Sequence, residues 1–282
     1  MGSLKSQVRT MLKRAGFYYR LRTSGVHDLY GKIAGNHSIV TRNRQIDFYG
    51  RLLTGFRHGD LIFDVGANEG LKTDIFLRLG ARVVAIEPDQ SNQSILRESF
   101  VKFRLARTPL VIVGKALSDK EAVETMWVDG PGSAVNTLSQ KWATTLKGNK
   151  ARHKYGHFGL DFARQKTVET TTLEQLMSAY GVPIFIKIDV EGYELKVLQG
   201  LRRPVPNLSF EVNLPEFMPE GLQCVEFLGH LAATGEFNYA VDCDEGLALD
   251  RWLTADEFLP VLEKCKDNCI EVFWKGLATE TA

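Results

Sequence analysis

LIFDVGANEGLKTDIFLRLGARVVAIEP, residues 61–88, is the stretch on which the fold turns. LIFDV (61–65) is a short apolar run and reads as a buried strand. A turn follows with glycines at 66 and 70. Residues 70–80 then show helical spacing, with Leu71, Ile75 and Leu79 on one face and Gly80 as the stop. RVVAIEP (82–88) is a second strand ended by proline. Strand, helix, strand at this spacing is a parallel pair with a right-handed crossover.

The same alternation extends outward. Residues 89–103 read as a helix capped by Asp89, and PLVIVGKAL (109–117) as a third strand. Further on, strands are expected at 184–190, 207–213, 237–243 and 268–275. Helices are expected at 172–181, 192–200, 222–235 and 254–264. Thr172 with Gln175, and Thr254 with Glu257, have the spacing of capping boxes. Two more strands, 121–128 and 166–172, flank a less regular middle. The fold class is therefore α/β, with a doubly wound, mostly parallel sheet. Residues 1–56 read as an N-terminal helical extension, since 44–56 is helically spaced and 5–22 can form a basic amphipathic helix. Residues 57–282 are the main domain, with a flexible insertion at 129–166 that is rich in glycine, then basic.

Composition narrows the function classes. A net charge of +1 offers no general attraction for nucleic acid or acidic partners. No apolar run is long enough to span a membrane, and the N-terminus lacks the apolar core of a secretory signal. MGSLKS matches the myristoylation pattern at Gly2 and Ser6, but the pattern is short, and a start codon with a solvated polar arm is the favoured reading. Cys224, Cys243, Cys265 and Cys269 have no histidine cluster beside them, so reduced thiols in a cytoplasmic protein are expected rather than zinc.

In a doubly wound sheet, ligands bind beyond the carboxyl ends of the strands. The glycines at 66 and 70, with Asn68 between them, do not make the G-x-G-x-x-G dinucleotide fingerprint. Asp64 would repel a pyrophosphate, by about 1 kcal/mol per charge pair at 4 Å in water and by more when buried. It would attract a cationic, phosphate-free nucleoside, and S-adenosyl-L-methionine fits. Gly66 lets backbone come close to a ligand. Glu87, at the end of the second strand, can accept both ribose hydroxyls. Ser118 and Asp119, past the third strand, can meet the adenine edge. Each has a plainer alternative: a solvated strand end for Glu87, a turn for Ser118 and Asp119.

DVGANEG (64–70), VVAIEPD (83–89), TTLEQLM (171–177) and IKIDVEGYELKVLQG (186–200) together resemble the FkbM-type methyltransferases, over roughly residues 60–215. That resemblance implies a Rossmann-like class I methyltransferase fold, S-adenosyl-L-methionine as cofactor, and methyl transfer, usually to an oxygen of a small molecule or glycan. Asp64, Gly66, Asn68, Gly70 and Glu87 match the family's cofactor motifs, and Thr73 stands where it adds a contact.

KIDVEG (187–192) supplies the other half of the expected site. Charges in a buried strand need a reason. A Lys187–Asp189 ion pair is one, and Glu191 would suit the N-terminus of the helix that follows. Asp189 can also orient or deprotonate an acceptor hydroxyl, hold the cofactor's ammonium, or brace the turn; the acceptor side is favoured. Asp189, Glu191 and His157 are taken as the catalytic candidates. His157 and His153 lie in the basic segment 147–166, which reads either as a solvated loop or as a lid whose cations favour an anionic acceptor. Asp189, Glu211 and Asn213 could face one cleft as oxygen donors, but no metal is assigned. A nucleic-acid methyltransferase, an NAD-binding oxidoreductase and a catalytically silent cofactor-binding module are the competing readings.

Overall fold

Each residue of strand β1 (Leu61–Val65) is buried, the pattern of a strand covered on both faces. The computed structural model describes residues 37–101, 103, 110–148 and 160–276. After β1 come helix α2 (Leu71–Leu79), β2 (Arg82–Ile86), α3 (Gln90–Ser99) and β3 (Leu110–Val113), preceded by α1 (His37–Leu52). Asp89 caps α3, its side chain accepting from the amides of Ser91 and Asn92. Gly80 ends α2 in the left-handed conformation.

The run 109–117 is not one strand. It ends at Val113, and Ala116–Leu117 forms β4 in a second sheet, ordered β4-β6-β5 with β5 (Val123–Val128) and β6 (Arg164–Thr171). Gly114 marks the break: a Cβ there would lie 2.9 Å from the Gln93 amide nitrogen, whose side chain reaches back to the Glu87 carbonyl.

The remaining elements are α4 (Gln140–Gly148), α5 (Leu173–Tyr180), β7 (Phe185–Ile188), α6 (Glu194–Leu198), β8 (Asn207–Asn213), α7 (Met218–Leu231), β9 (Glu236–Ala240), α8 (Ala255–Glu263) and β10 (Cys269–Lys275). The main sheet is ordered β3-β2-β1-β7-β8-β10-β9. β1, β2, β3, β7 and β8 run parallel, and β10 is antiparallel to both its neighbours. This is the doubly wound, mostly parallel α/β arrangement. It places the ends of β1, β2 and β7 side by side.

Helix α1 shares a core with the sheet. Phe48, Tyr49 and Leu52 are buried beside Phe76, Phe185 and Phe273, with ring centroids 5.1 Å apart for Tyr49–Phe76 and 5.5 Å for Phe48–Phe273. Packing therefore runs across the boundary expected at residue 56. Within 129–166, α4 buries Trp142, Ala143 and Leu146 in the main core, and Phe162 joins them. Residues 1–36, with Gly2 and the segment expected to form a basic helix, and residues 149–159, with His153 and His157, lie outside the described residues. No described helix is long and apolar enough to cross a membrane.

Candidate active site

The turn after β1 is held tightly against the end of β2. The amides of Gly66 and Ala67 both donate to the Ile86 carbonyl, at 3.0 and 3.1 Å. The Asn68 amide donates to Glu87 Oε2 at 2.8 Å, and the Gly70 amide to the Ala67 carbonyl at 2.8 Å. A phosphate-binding turn needs such N–H groups turned toward its ligand. Here the amides of Gly66, Ala67, Asn68 and Gly70 are committed to the protein. Gly66, Asn68 and Gly70 all have positive φ.

The glycines serve packing more than ligand approach. A Cβ on Gly66 would lie 1.8 Å from the carbonyl oxygen of Asp189, so β1 and β7 meet at their ends only because residue 66 has no side chain. A Cβ on Gly70 would lie 2.6 Å from both Leu96 and Phe100 of the α3 region. Gly66→Ala is accordingly expected to destabilise the protein by about 2–4 kcal/mol, combining overpacking with a left-handed backbone. Urea unfolding measures it, and unchanged stability would refute this account of the glycine.

Glu87 is buried, and its other oxygen accepts from the Asp89 amide at 2.7 Å. Burial pushes its pKa up to about 7, against the pull of the Asp89 and Asn68 amides. Asp64 is 1% exposed. One oxygen accepts from the Thr73 hydroxyl, so Thr73 contacts Asp64 and holds it in place. Among the described residues the other oxygen, Oδ1, has no partner, and neither does Asn68 Oδ1. Burial raises the Asp64 pKa, with Lys187 and Thr73 opposing. Unsatisfied acceptors beside a buried carboxylate suit a ligand that brings N–H donors and positive charge. The donor set therefore fits S-adenosyl-L-methionine: Asp64 and Asn68 toward its cationic end, Glu87 toward its ribose.

The end of β7 is a carboxylate cluster. Lys187 is buried and donates to Asp189 Oδ2 at 2.7 Å. A third of the Asp189 side chain, 35%, stays open to solvent. Burial would raise the Asp189 pKa, but the Lys187 charge and hydrogen bond outweigh it and hold it low. Asp189, Glu191 and Glu211 present oxygens within 4.8 Å of one another. Burial first, and the Asp189 charge second, push Glu191 up to about 8 and drive Glu211 well above the carboxylate range. Trp142 Nε1 donates to Glu191 at 2.7 Å, and the Cys269 thiol to Glu211 at 2.8 Å.

Glu191 does not serve the helix N-terminus. Its φ is +57°, which aims it elsewhere, and Glu194 takes the amides of Val190 and Gly192, each at 3.1 Å. The three acids are the oxygens that could hold a divalent cation. Lys187, already 2.7 Å from one of them, competes for that charge. Glu191 joins the expected Asp189 and Glu211 in this set.

Ser118 and Asp119 belong to a different network. The Ser118 hydroxyl donates to Glu124 at 2.8 Å, and Tyr193 donates to the same carboxylate at 2.5 Å. Asp119 pairs with Lys196 at 3.2 Å. These contacts tie the small sheet to α6. Sequence reasoning missed Trp142, Glu194, Lys72 and Glu271. Glu271 had a signal, since an acid in the apolar run of β10 needs a partner; Trp142 had none, because only the fold brings it to Glu191.

Residues 64–240, more than half of the 282-residue chain, match the methyltransferase FkbM domain. Among solved structures, the FkbM methyltransferase from Methylobacillus flagellatus KT is similar over 77% of this chain and 44% of its own length, at 16% identity and TM-score 0.46. This chain thus spans less than half of that protein. A SAM-dependent O-methyltransferase from Thermotoga maritima is similar over 85% of this chain and 67% of its own, at 12% identity and TM-score 0.41. The plantazolicin methyltransferase BpumL in complex with SAH is similar over 97% and 99%, at 9% identity and TM-score 0.40. No curated protein matches. At such scores the family match alone carries the assignment: the chain belongs to the FkbM methyltransferase family and is an S-adenosyl-L-methionine-dependent methyltransferase.

Proposed function

We propose that this methyltransferase acts on a hydroxyl oxygen of a sugar or small biosynthetic intermediate. The observation that carries the reading is Glu191, a carboxylate pushed up to about 8 beside the solvent-open Asp189 at the end of β7. A hydroxyl becomes a good nucleophile only as its proton leaves, and a base serves best with a pKa near ambient pH. When bound, S-adenosyl-L-methionine supplies an electrophilic methyl group. Asp64, Asn68 and Glu87 bind and orient it, Gly66 and Gly70 shape the turn, and Thr73 positions Asp64. Asp189, kept ionised by Lys187, accepts a hydrogen bond from the acceptor and orients it. Glu191 takes the hydroxyl proton.

Ser118 and Asp119, committed to Glu124 and Lys196, brace α6 in this reading. Carboxylates around the acceptor position favour a neutral, hydroxyl-rich molecule and disfavour nucleic-acid phosphates. An anionic acceptor was expected from the basic segment, whose residues 149–159 are outside the described set, and the charge of the described site points the other way. The four cysteines, all thiols, support a reducing, cytoplasmic setting.

Two measurements test this. Calorimetry should show binding of S-adenosyl-L-methionine and none of NAD, and the reverse would overturn the cofactor site. Methyl transfer to a panel of neutral sugars, followed by NMR of the product, should yield O-methyl groups insensitive to a chelator. Methyl on nitrogen or carbon would sink the hydroxyl reading, and loss of activity with the chelator would replace the proton-transfer role of the acid cluster with metal binding.

A further inference from the structure

A second polar cluster adjoins the carboxylates, centred on Glu271, the cross-strand partner of Glu211. Glu271 on β10 accepts from Ser209 at 2.6 Å, Tyr49 at 3.2 Å and the Cys243 thiol at 3.0 Å. Lys72, two residues past Gly70, lies 3.8 Å from Glu271 and donates to the Tyr49 hydroxyl at 3.1 Å. Tyr49 is fully buried, and the Glu271 side chain is 14% exposed. Burial alone would raise the Glu271 pKa, but Lys72 and Lys187 together outweigh it and lower it. The same two lysines also act on Asp64 and Asp189. Glu271, Lys72, Lys187, Asp64 and Asp189 are thus one electrostatic unit, joined through the two lysines.

Its charge does not balance: two cations, Lys72 and Lys187, face three carboxylates. Glu211 is the cross-strand partner of Glu271, and Glu191 presents an oxygen within 4.8 Å of Glu211. A low-dielectric cluster with more carboxylates than ammonium groups attracts a cation. S-adenosyl-L-methionine carries an ammonium, a sulfonium and a carboxylate, one net positive charge. Its product, having lost the sulfonium, is neutral overall.

We infer that Glu271 is a specificity-determining residue: acting through Lys72 and Lys187, it supplies the negative charge by which the site prefers the charged methyl donor over the neutral spent cofactor. Such a preference speeds exchange of product for donor. Tyr49 and Glu271 both lie outside the residues 64–240 that match the family, so this charge comes from the segments flanking the shared domain. The inference rests on the proposed cofactor seat at Asp64 and Glu87.

Calorimetry of both ligands on the full chain tests it. Glu271→Gln keeps the shape and removes the charge; it should lower the preference for S-adenosyl-L-methionine over S-adenosylhomocysteine by about fivefold to tenfold, mainly by weakening the donor. Lys72→Met should shift the preference the opposite way, and Ser209→Ala, which changes no charge, should leave it unchanged. Thermal unfolding of each variant checks that it is folded. If Glu271→Gln and Lys72→Met move the ratio in the same direction, or neither moves it, Glu271 is a packing residue and the inference fails. If the wild-type chain binds neither ligand, it is the cofactor seat that fails.

Discussion

Glu87→Ala is expected to raise the dissociation constant for S-adenosyl-L-methionine by on the order of a hundredfold. A hydrogen bond to a charged group contributes about 1.5–3 kcal/mol, and the proposed ribose contact uses the carboxylate for two hydroxyls. The substitution also strands the amides of Asn68 and Asp89, which now donate to the two Glu87 oxygens. Turn and helix start both loosen, so the binding loss comes with a stability loss of about 1–3 kcal/mol. Glu87→Gln separates the two effects by keeping one acceptor oxygen.

The pH dependence gives this prediction a sharper form. Burial holds the Glu87 pKa at about 7, and the ribose hydroxyls bind the ionised form. Affinity should therefore be full well above pH 7 and should fall as pH drops through 7, each bound ligand releasing a fraction of a proton. Glu87→Gln should bind weakly with no such slope. Calorimetry across pH 6–8.5 measures both. Wild-type affinity in the alanine variant would remove Glu87 from the cofactor site.

The parts of this molecule legible in its sequence are those set by near neighbours. LIFDVGANEG, the helix behind it and RVVAIEP form one local unit, and Asp89 caps the next helix where its position said it would. What escaped depends on distant partners. The demand for glycine at 66 comes from the Asp189 carbonyl, which the sheet order brings alongside and no short-range pattern announces. LVIVGKAL reads as one apolar run, and only the Gln93 side chain packed at Gly114 shows why the chain leaves the sheet there. Glu191 and Glu194 are the same residue type three positions apart. The positive φ at 191 decides that one faces the site and the other caps the turn. The Tyr49–Lys72–Glu271 set draws on three separate elements, two of them outside the family signature, so no motif could have joined them.

Glu191→Gln should lower turnover by on the order of a hundredfold to ten-thousandfold, the usual contribution of a positioned proton acceptor. The amide keeps the Trp142 hydrogen bond through its oxygen, so the fold and cofactor affinity should change little. In the wild type the base works only when deprotonated. With the Glu191 pKa pushed up to about 8, first by burial and then by the Asp189 charge, turnover should climb with pH through about 8 and level off above it. Asp189→Asn tests the coupling. It removes a negative charge beside Glu191, so the inflection should move down in pH while turnover drops from lost acceptor orientation. The same change leaves Lys187 buried without its partner at 2.7 Å, which predicts a less stable protein and requires assays well below its unfolding midpoint. A metal-based cluster would respond differently, with turnover in every variant tracking added divalent cation. Wild-type turnover in Glu191→Gln, or an inflection in Asp189→Asn that stays near 8, would remove Glu191 from the proton-transfer step.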